Sequence, residues 1–152
     1  MAIEGEPILI LLVEDDPAHA EIVRRKLKDF PVANRFFLAK DGQEALDFLF
    51  RKGACADPET SPRPDMILLD LRLPKVDGLG VLRRIEKDED LKRIPTVILT
   101  TSDDNSDIEA AYVRGVGSYL IKPMNFGKFD KMMDALWSYW LAWNRFSGHD
   151  VC

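Results

Sequence analysis

Apolar positions along this chain repeat in two periods. Five short runs, Ile8–Val13, Arg35–Ala39, Met66–Asp70, Thr96–Thr100 and Ser118–Ile121, are rich in aliphatic residues and bounded by turn formers, which predicts buried strands. Between them the apolar residues recur at helical spacing. Ile22, Val23 and Leu27 (i, i+1, i+5) form an inward face behind Pro17, a residue tolerated in a first helical turn, and this helix runs to about Asp29. A second helix starts at Asp41, whose carboxylate can cap the free amides with Glu44 three residues on, and it turns Ala45, Leu46, Leu49 and Phe50 inward. The third covers about Gly78 to Asp88, with Leu79, Leu82 and Ile85 on one face. A capping box, Ser106 with Glu109, opens the fourth, and Gly115 ends it. The fifth begins at Asn125 and runs beyond Trp143. Strands and helices in alternation predict an α/β domain, a parallel sheet covered by helices on both faces.

The stretch GACADPETSPRP, Gly53 to Pro64, exceeds the usual connection of ~4–6 residues and is full of breakers, so it is expected to be a surface loop without chemistry. A length of 152 residues suits one domain, here residues 1–152, which can bury roughly 70% of its unfolded surface. With 46% hydrophobic and 31% charged residues the chain has enough core formers to fold unaided. The net charge of −5 gives no basic field, and Arg24-Arg25-Lys26 and Arg83-Arg84 lie inside amphipathic patterns, so no nucleic-acid partner is expected. The opening MAIEGEP has no basic stretch leading into an apolar one, and no run of about 18 apolar residues occurs. The expectation is a cytoplasmic protein with no membrane partner. Cys55 and Cys152 lack metal-site or CxxC spacing and read as free thiols.

In doubly wound sheets, reactive groups gather beyond the carboxyl ends of the strands. The first strand here ends in Glu14-Asp15-Asp16, the third in Asp70, the fourth in Thr100-Thr101-Ser102 and the fifth in Lys122-Pro123. Asp16, directly before Pro17, suits the N-cap of the first helix. Clustered carboxylates need a counter-charge, and a hard divalent cation such as Mg²⁺ takes one or two of them together with waters and phosphate oxygens. A lysine can neutralise a further phosphate oxygen, a threonine can donate to another, and a carboxylate can be the nucleophile that becomes an aspartyl phosphate. The set fits phosphoryl transfer. His19, one turn into the first helix and near the acidic pair, reads as an ordinary exposed helical histidine, contact with the site or with a kinase being the alternative, and His149 lies in a polar tail.

In order and separation, ILLVEDD, MILLDLRLPKVDG, VILTT and YLIKP resemble the receiver domain of two-component response regulators, over about Ile8 to Leu141, with 142–152 as an extension. The resemblance implies a flavodoxin-like fold with strand order 2-1-3-4-5. It also implies that Asp70 is the phosphoacceptor, Asp15 a direct Mg²⁺ ligand, Glu14 its acidic neighbour, and Arg72 the donor of a backbone carbonyl to the metal. Thr100 matches the hydroxyl residue that follows the phosphoryl group, Lys122 the phosphate-pairing lysine, Pro123 a proline after a cis peptide bond, and Tyr119 an aromatic that turns inward when the threonine moves. Plain core packing is the alternative for Tyr119. Arg72 and Ser102, two residues past Asp70 and Thr100, flank the path of attacking water in similar proteins.

The resemblance implies a sensor histidine kinase as phosphodonor and a signalling protein rather than an enzyme. A phosphatase of the haloacid-dehalogenase type also forms an aspartyl phosphate, but it wants a second acid where Arg72 stands. A P-loop NTPase would need GxxxxGK[ST], which is missing. A receiver used only as a dimerising adaptor is the remaining alternative.

In the last helix Phe129, Met133, Leu136 and Trp140 form a core stripe at i, i+4, i+7, i+11. Trp137, Tyr139, Leu141, Trp143 and Phe146 lie off that stripe. Aromatic residues bury large areas at low entropic cost, so Trp137, Tyr139, Trp143 and Phe146 are expected at a partner surface, in the simplest case a homodimer, with extra core packing as the alternative. The long second loop, LTTSDDNSDIEAA and this aromatic end are together similar to the single-domain response regulators of cyanobacterial phytochrome kinases, which implies a phytochrome as the kinase.

Overall fold

The computed structural model describes residues 7–143. Its elements follow the alternation of the sequence: β1 (Ile8–Val13), α1 (Pro17–Asp29), β2 (Asn34–Ala39), α2 (Gly42–Phe50), β3 (Met66–Leu69), α3 (Gly78–Glu86), β4 (Thr96–Thr100), α4 (Asn105–Val113), β5 (Ser118–Ile121) and α5 (Phe126–Trp137). All neighbouring strands are parallel, in the order β2-β1-β3-β4-β5, the doubly wound flavodoxin-like arrangement expected. Side chains alternate between the faces of a strand. Thus Ile8, Ile10 and Leu12 of β1 join Met66, Leu68, Val97 and Leu99 under α1 and α5, while Leu11 and Val13 join Ile67, Leu69 and Ile98 under the other three helices. The central strands are buried on both faces, which is why they read as unbroken apolar runs.

Every helix starts on an aspartate or asparagine whose side chain accepts from backbone amides of the first turn: Asp16, Asp41, Asp77, Asp104 and Asn125. The fourth start differs from the expected one. Asp104, not Ser106, is the cap, because its carboxylate accepts from both the amide and the hydroxyl of Ser106 at 2.9 Å and so occupies the serine. Gly115 then closes α4 in the left-handed region at φ 88°. The Gly53–Pro64 connection contains a 3₁₀ turn (Gly53–Cys55) and is tied down where Arg51 Nε donates to the carbonyl of Ser61 at 3.1 Å.

Trp137 is not a surface residue. It is 0% exposed and belongs to the α1/α5 core with Phe129, Met133, Leu136 and Leu141. The apolar stripe of a core helix is at least about 100° wide, so positions i+8 and i+12 fall beside i+7 and i+11. Trp137 and Leu141 therefore widen the stripe instead of leaving it. Its indole Nε1 has no hydrogen-bond partner among the described residues, so apolar packing holds the ring. From Ser138 to Trp143 the chain continues as a π-helix, on which Tyr139 stands 55% exposed and edge-on to Trp140, which packs against the core. The backbone of Trp143 belongs to this turn, while its side chain and Phe146 lie outside the described residues.

Candidate functional site

Backbone pairing continues one residue beyond the strands and sets the rim. Glu14 N donates to Ala39 O (2.9 Å), Asp70 N to Val13 O (3.0 Å) and Lys122 N to Thr100 O (2.7 Å). The register places Val13 beside Leu69, Leu69 beside Ile98, and Thr100 beside Ile121, so the residues that follow emerge at one level. After Asp70 the chain must turn into α3 in little space. A Cβ on Gly78 would lie 2.4 Å from the carbonyl oxygen of Asp70, so only glycine lets α3 start against the acid's own backbone. Lys75, in the same turn, takes the left-handed conformation at φ 67°, which is uncommon for a residue with a side chain.

Glu14, Asp15 and Asp70 bring carboxylate oxygens within 4.8 Å of one another, a donor set suited to a hard divalent cation. Glu14 and Asp70 are buried at 2% and 6% exposure, and Asp15 is exposed. Lys122, also buried, supplies the counter-charge, with Nζ 2.5 Å from Glu14 Oε1 and 2.9 Å from Asp70 Oδ2. Burial pushes the Glu14 carboxyl up to about 7, against the opposing pull of Lys122. Asp70 Oδ1 accepts from the amide of Arg72 at 3.2 Å, and Glu14 Oε2 from the amide of Asp16 at 3.1 Å.

The bond from Lys122 to Pro123 is not cis. No cis peptide occurs among the described residues, and the lysine reaches both acids from the trans isomer, which X-Pro bonds prefer by about 0.5–1 kcal/mol.

A second cluster joins the rim to α4. The Arg72 side chain leaves the acids and bonds Asp107 Oδ2 at 2.5 Å, with Ser102 Oγ 3.4 Å from the same guanidinium nitrogen. Ser102 Oγ donates to Asp107 Oδ2 at 2.6 Å, and Tyr119 OH donates to the carbonyl of Ser102 at 2.9 Å. Thr100 is fully buried, and its hydroxyl oxygen accepts from the amide of Ser102 at 3.4 Å.

His19 does not behave as an exposed helical residue. Its Nδ1 lies 3.0 Å from Lys122 Nζ, and its ring packs on Phe129 at 5.6 Å between centroids. Burial, aided by the Lys122 charge, holds the imidazole below its ordinary value. Two signals could have found it. Asp16 caps the helix, so His19 is its third residue, and helical side chains lean toward the N-terminus, here toward the rim. Asp107 was missed because its role depends on Arg72, which comes from another loop.

The model of the response regulator receiver domain matches residues 10–134 of this chain. The chain is 43% identical over 144 residues to the probable methanogenesis regulatory protein FilR2 of Methanothrix harundinacea, covering 94% of this chain and 90% of that one. It is 44% identical over 135 residues to response regulator Rcp1 of Synechocystis sp., covering 89% of this chain and 90% of that one. The crystal structure of the Mn²⁺-bound form of Rcp1 superposes with a TM-score of 0.89, at 42% identity over 93% of this chain and 100% of that one. That of the phosphorylated cyanobacterial phytochrome response regulator RcpA superposes equally well, at 0.89, with 35% identity over 94% of this chain and 100% of that one. On the fold, the acidic rim and these similarities together, the chain belongs to the response regulator receiver domain family.

Proposed function

We propose that Asp70 accepts a phosphoryl group from the phosphohistidine of a sensor histidine kinase, and that the kinase is a phytochrome. The observation that carries the proposal is the set of Glu14, Asp15 and Asp70 carboxylates within 4.8 Å of one another, with a buried lysine bonded to Glu14 and Asp70. An Asp70 carboxylate oxygen attacks phosphorus, the P–O bond forms as the P–N bond breaks, and the leaving imidazole takes up a proton. Glu14, Asp15, Asp70 and the Arg72 carbonyl would hold Mg²⁺, which when bound neutralises the charge on the transferring group. Lys122 redirects one hydrogen bond from the Asp70 carboxylate to a phosphoryl oxygen.

The phosphoryl group adds nearly two negative charges beside Lys122. Thr100 donates its hydroxyl to it, Ser102 follows two residues on, and Tyr119, bonded to the Ser102 carbonyl, shifts with the loop. The chain, residues 1–152, then acts as a cytoplasmic signalling receiver, through protein contacts rather than through catalytic turnover. No helix among the described residues is long and apolar enough to cross a membrane. Tyr139, exposed on the π-helical turn, contributes to a homodimer surface, without the buried Trp137. A monomer at tens of micromolar in sedimentation contradicts the dimer.

Mg²⁺-dependent labelling with radiolabelled acetyl phosphate tests the site. The wild type takes label and Asp70→Ala does not; equal labelling of both overturns the assignment and leaves the adaptor.

A further inference from the structure

We infer that His19 is a positioning residue for phosphoryl transfer, accepting the third proton of the Lys122 ammonium and so aiming the other two at the acids. This rests on the phosphoacceptor role of Asp70. An ammonium group has three donors and no acceptor. Here all three are used: Glu14 Oε1 at 2.5 Å, Asp70 Oδ2 at 2.9 Å and His19 Nδ1 at 3.0 Å from Nζ. Because lysine can only donate, Nδ1 must accept, and the ring proton sits on Nε2.

The three acceptors are not equivalent in the reaction. Asp70 loses its share of the lysine when it is phosphorylated, and Glu14 belongs to the cation-binding set. His19 is the neutral acceptor that neither step displaces. Its ring is itself held, packed on the fully buried Phe129 of α5 at 5.6 Å between centroids. The lysine therefore keeps one anchor while its other bonds exchange, and a near-attack arrangement of this kind is sensitive to displacements of an ångström.

The test uses the full chain with Mg²⁺ and acetyl phosphate, comparing wild type, His19→Leu and His19→Asn, whose amide oxygen can accept in place of Nδ1. Nitrogen-correlated NMR of the unphosphorylated protein is expected to show a protonated Nε2 and a bare Nδ1, and a Lys122 Nζ resonance that moves in His19→Leu. The initial labelling rate in His19→Leu is expected to fall about tenfold, the scale of one lost charge-assisted hydrogen bond, and His19→Asn to recover most of it. Labelling of His19→Leu at the wild-type rate overturns the inference while leaving Asp70 in its role. So does a protonated Nδ1, or an asparagine variant as slow as the leucine one although both melt as the wild type does. A wild type that takes no label removes the phosphoacceptor reading itself.

Discussion

Lys122 and Arg72 each bridge groups from different elements at the same edge of the sheet, yet the Lys122 side chain is 2% exposed and that of Arg72 60%. Around Lys122 the two acids it bonds are buried as well, and the half-buried His19 ring brings Nδ1 to 3.0 Å from the same ammonium. Around Arg72 the guanidinium stands in solvent, and only Asp107 is sheltered. The difference separates two tasks. Buried charges that balance one another respond strongly to a new charge, because solvent cannot absorb it. A half-exposed bridge costs little to break, so it suits the opening proposed for the loop that carries Ser102.

The largest effect is expected from removing the buried counter-charge. Lys122→Ala leaves Glu14 and Asp70 buried without compensation and should destabilise the protein by roughly 3 kcal/mol above neutral pH, read by denaturant unfolding. An unchanged midpoint would mean that water reaches the acids freely and that the contrast with Arg72 is false. Next, a divalent cation should replace part of the lysine's work. At about a hundred times its Kd it stabilises the native state by about 2.7 kcal/mol, which raises the melting temperature by about 5–10 °C. Asp15→Ala should remove most of that rise in a thermal melt.

A pH-dependent effect sharpens the same point. Glu14 is raised from the usual 4.5 to about 7, so the folded protein holds that proton more tightly than the unfolded chain does. Its contribution to stability is therefore fully present below about 4.5 and is lost as the pH rises through about 7. Unfolding midpoints measured between these limits should decline in the wild type and stay flatter in Glu14→Gln. The smallest change in stability, under about 1 kcal/mol, is expected for Arg72→Ala, since that ion pair is largely solvated. Its effect should appear in kinetics instead, as an altered decay of the phosphoryl group after loading. A decay identical to that of the wild type would leave Arg72 without a role beyond its backbone carbonyl.

The same contrast explains what could be read from sequence. Strand ends were legible because a run such as Met66–Leu69 stops at an acid, and parallel pairing brings such stops to one rim. Glu14, Asp70 and Lys122 followed from that topology alone. His19 and Asp107 did not, because each is defined by a partner far along the chain, Lys122 and Arg72 respectively. A narrow i, i+4, i+7, i+11 line on α5 leaves Trp137 out, while the real stripe is wide enough to bury it. Ser106 was misplaced because Asp104, two residues earlier, is an equally competent cap that also engages the serine hydroxyl. The cis Lys122–Pro123 bond is an expectation from the family resemblance alone and has no signal in the residues themselves.

The most direct measurement of the central claim is peptide mass mapping after incubation with Mg²⁺ and acetyl phosphate. The account predicts one added phosphoryl group, carried by the peptide that contains Asp70 and missing when Mg²⁺ is chelated. A phosphoryl group found on another peptide, or an unmodified Asp70 peptide under conditions where the protein is folded and Mg²⁺ is bound, would contradict it.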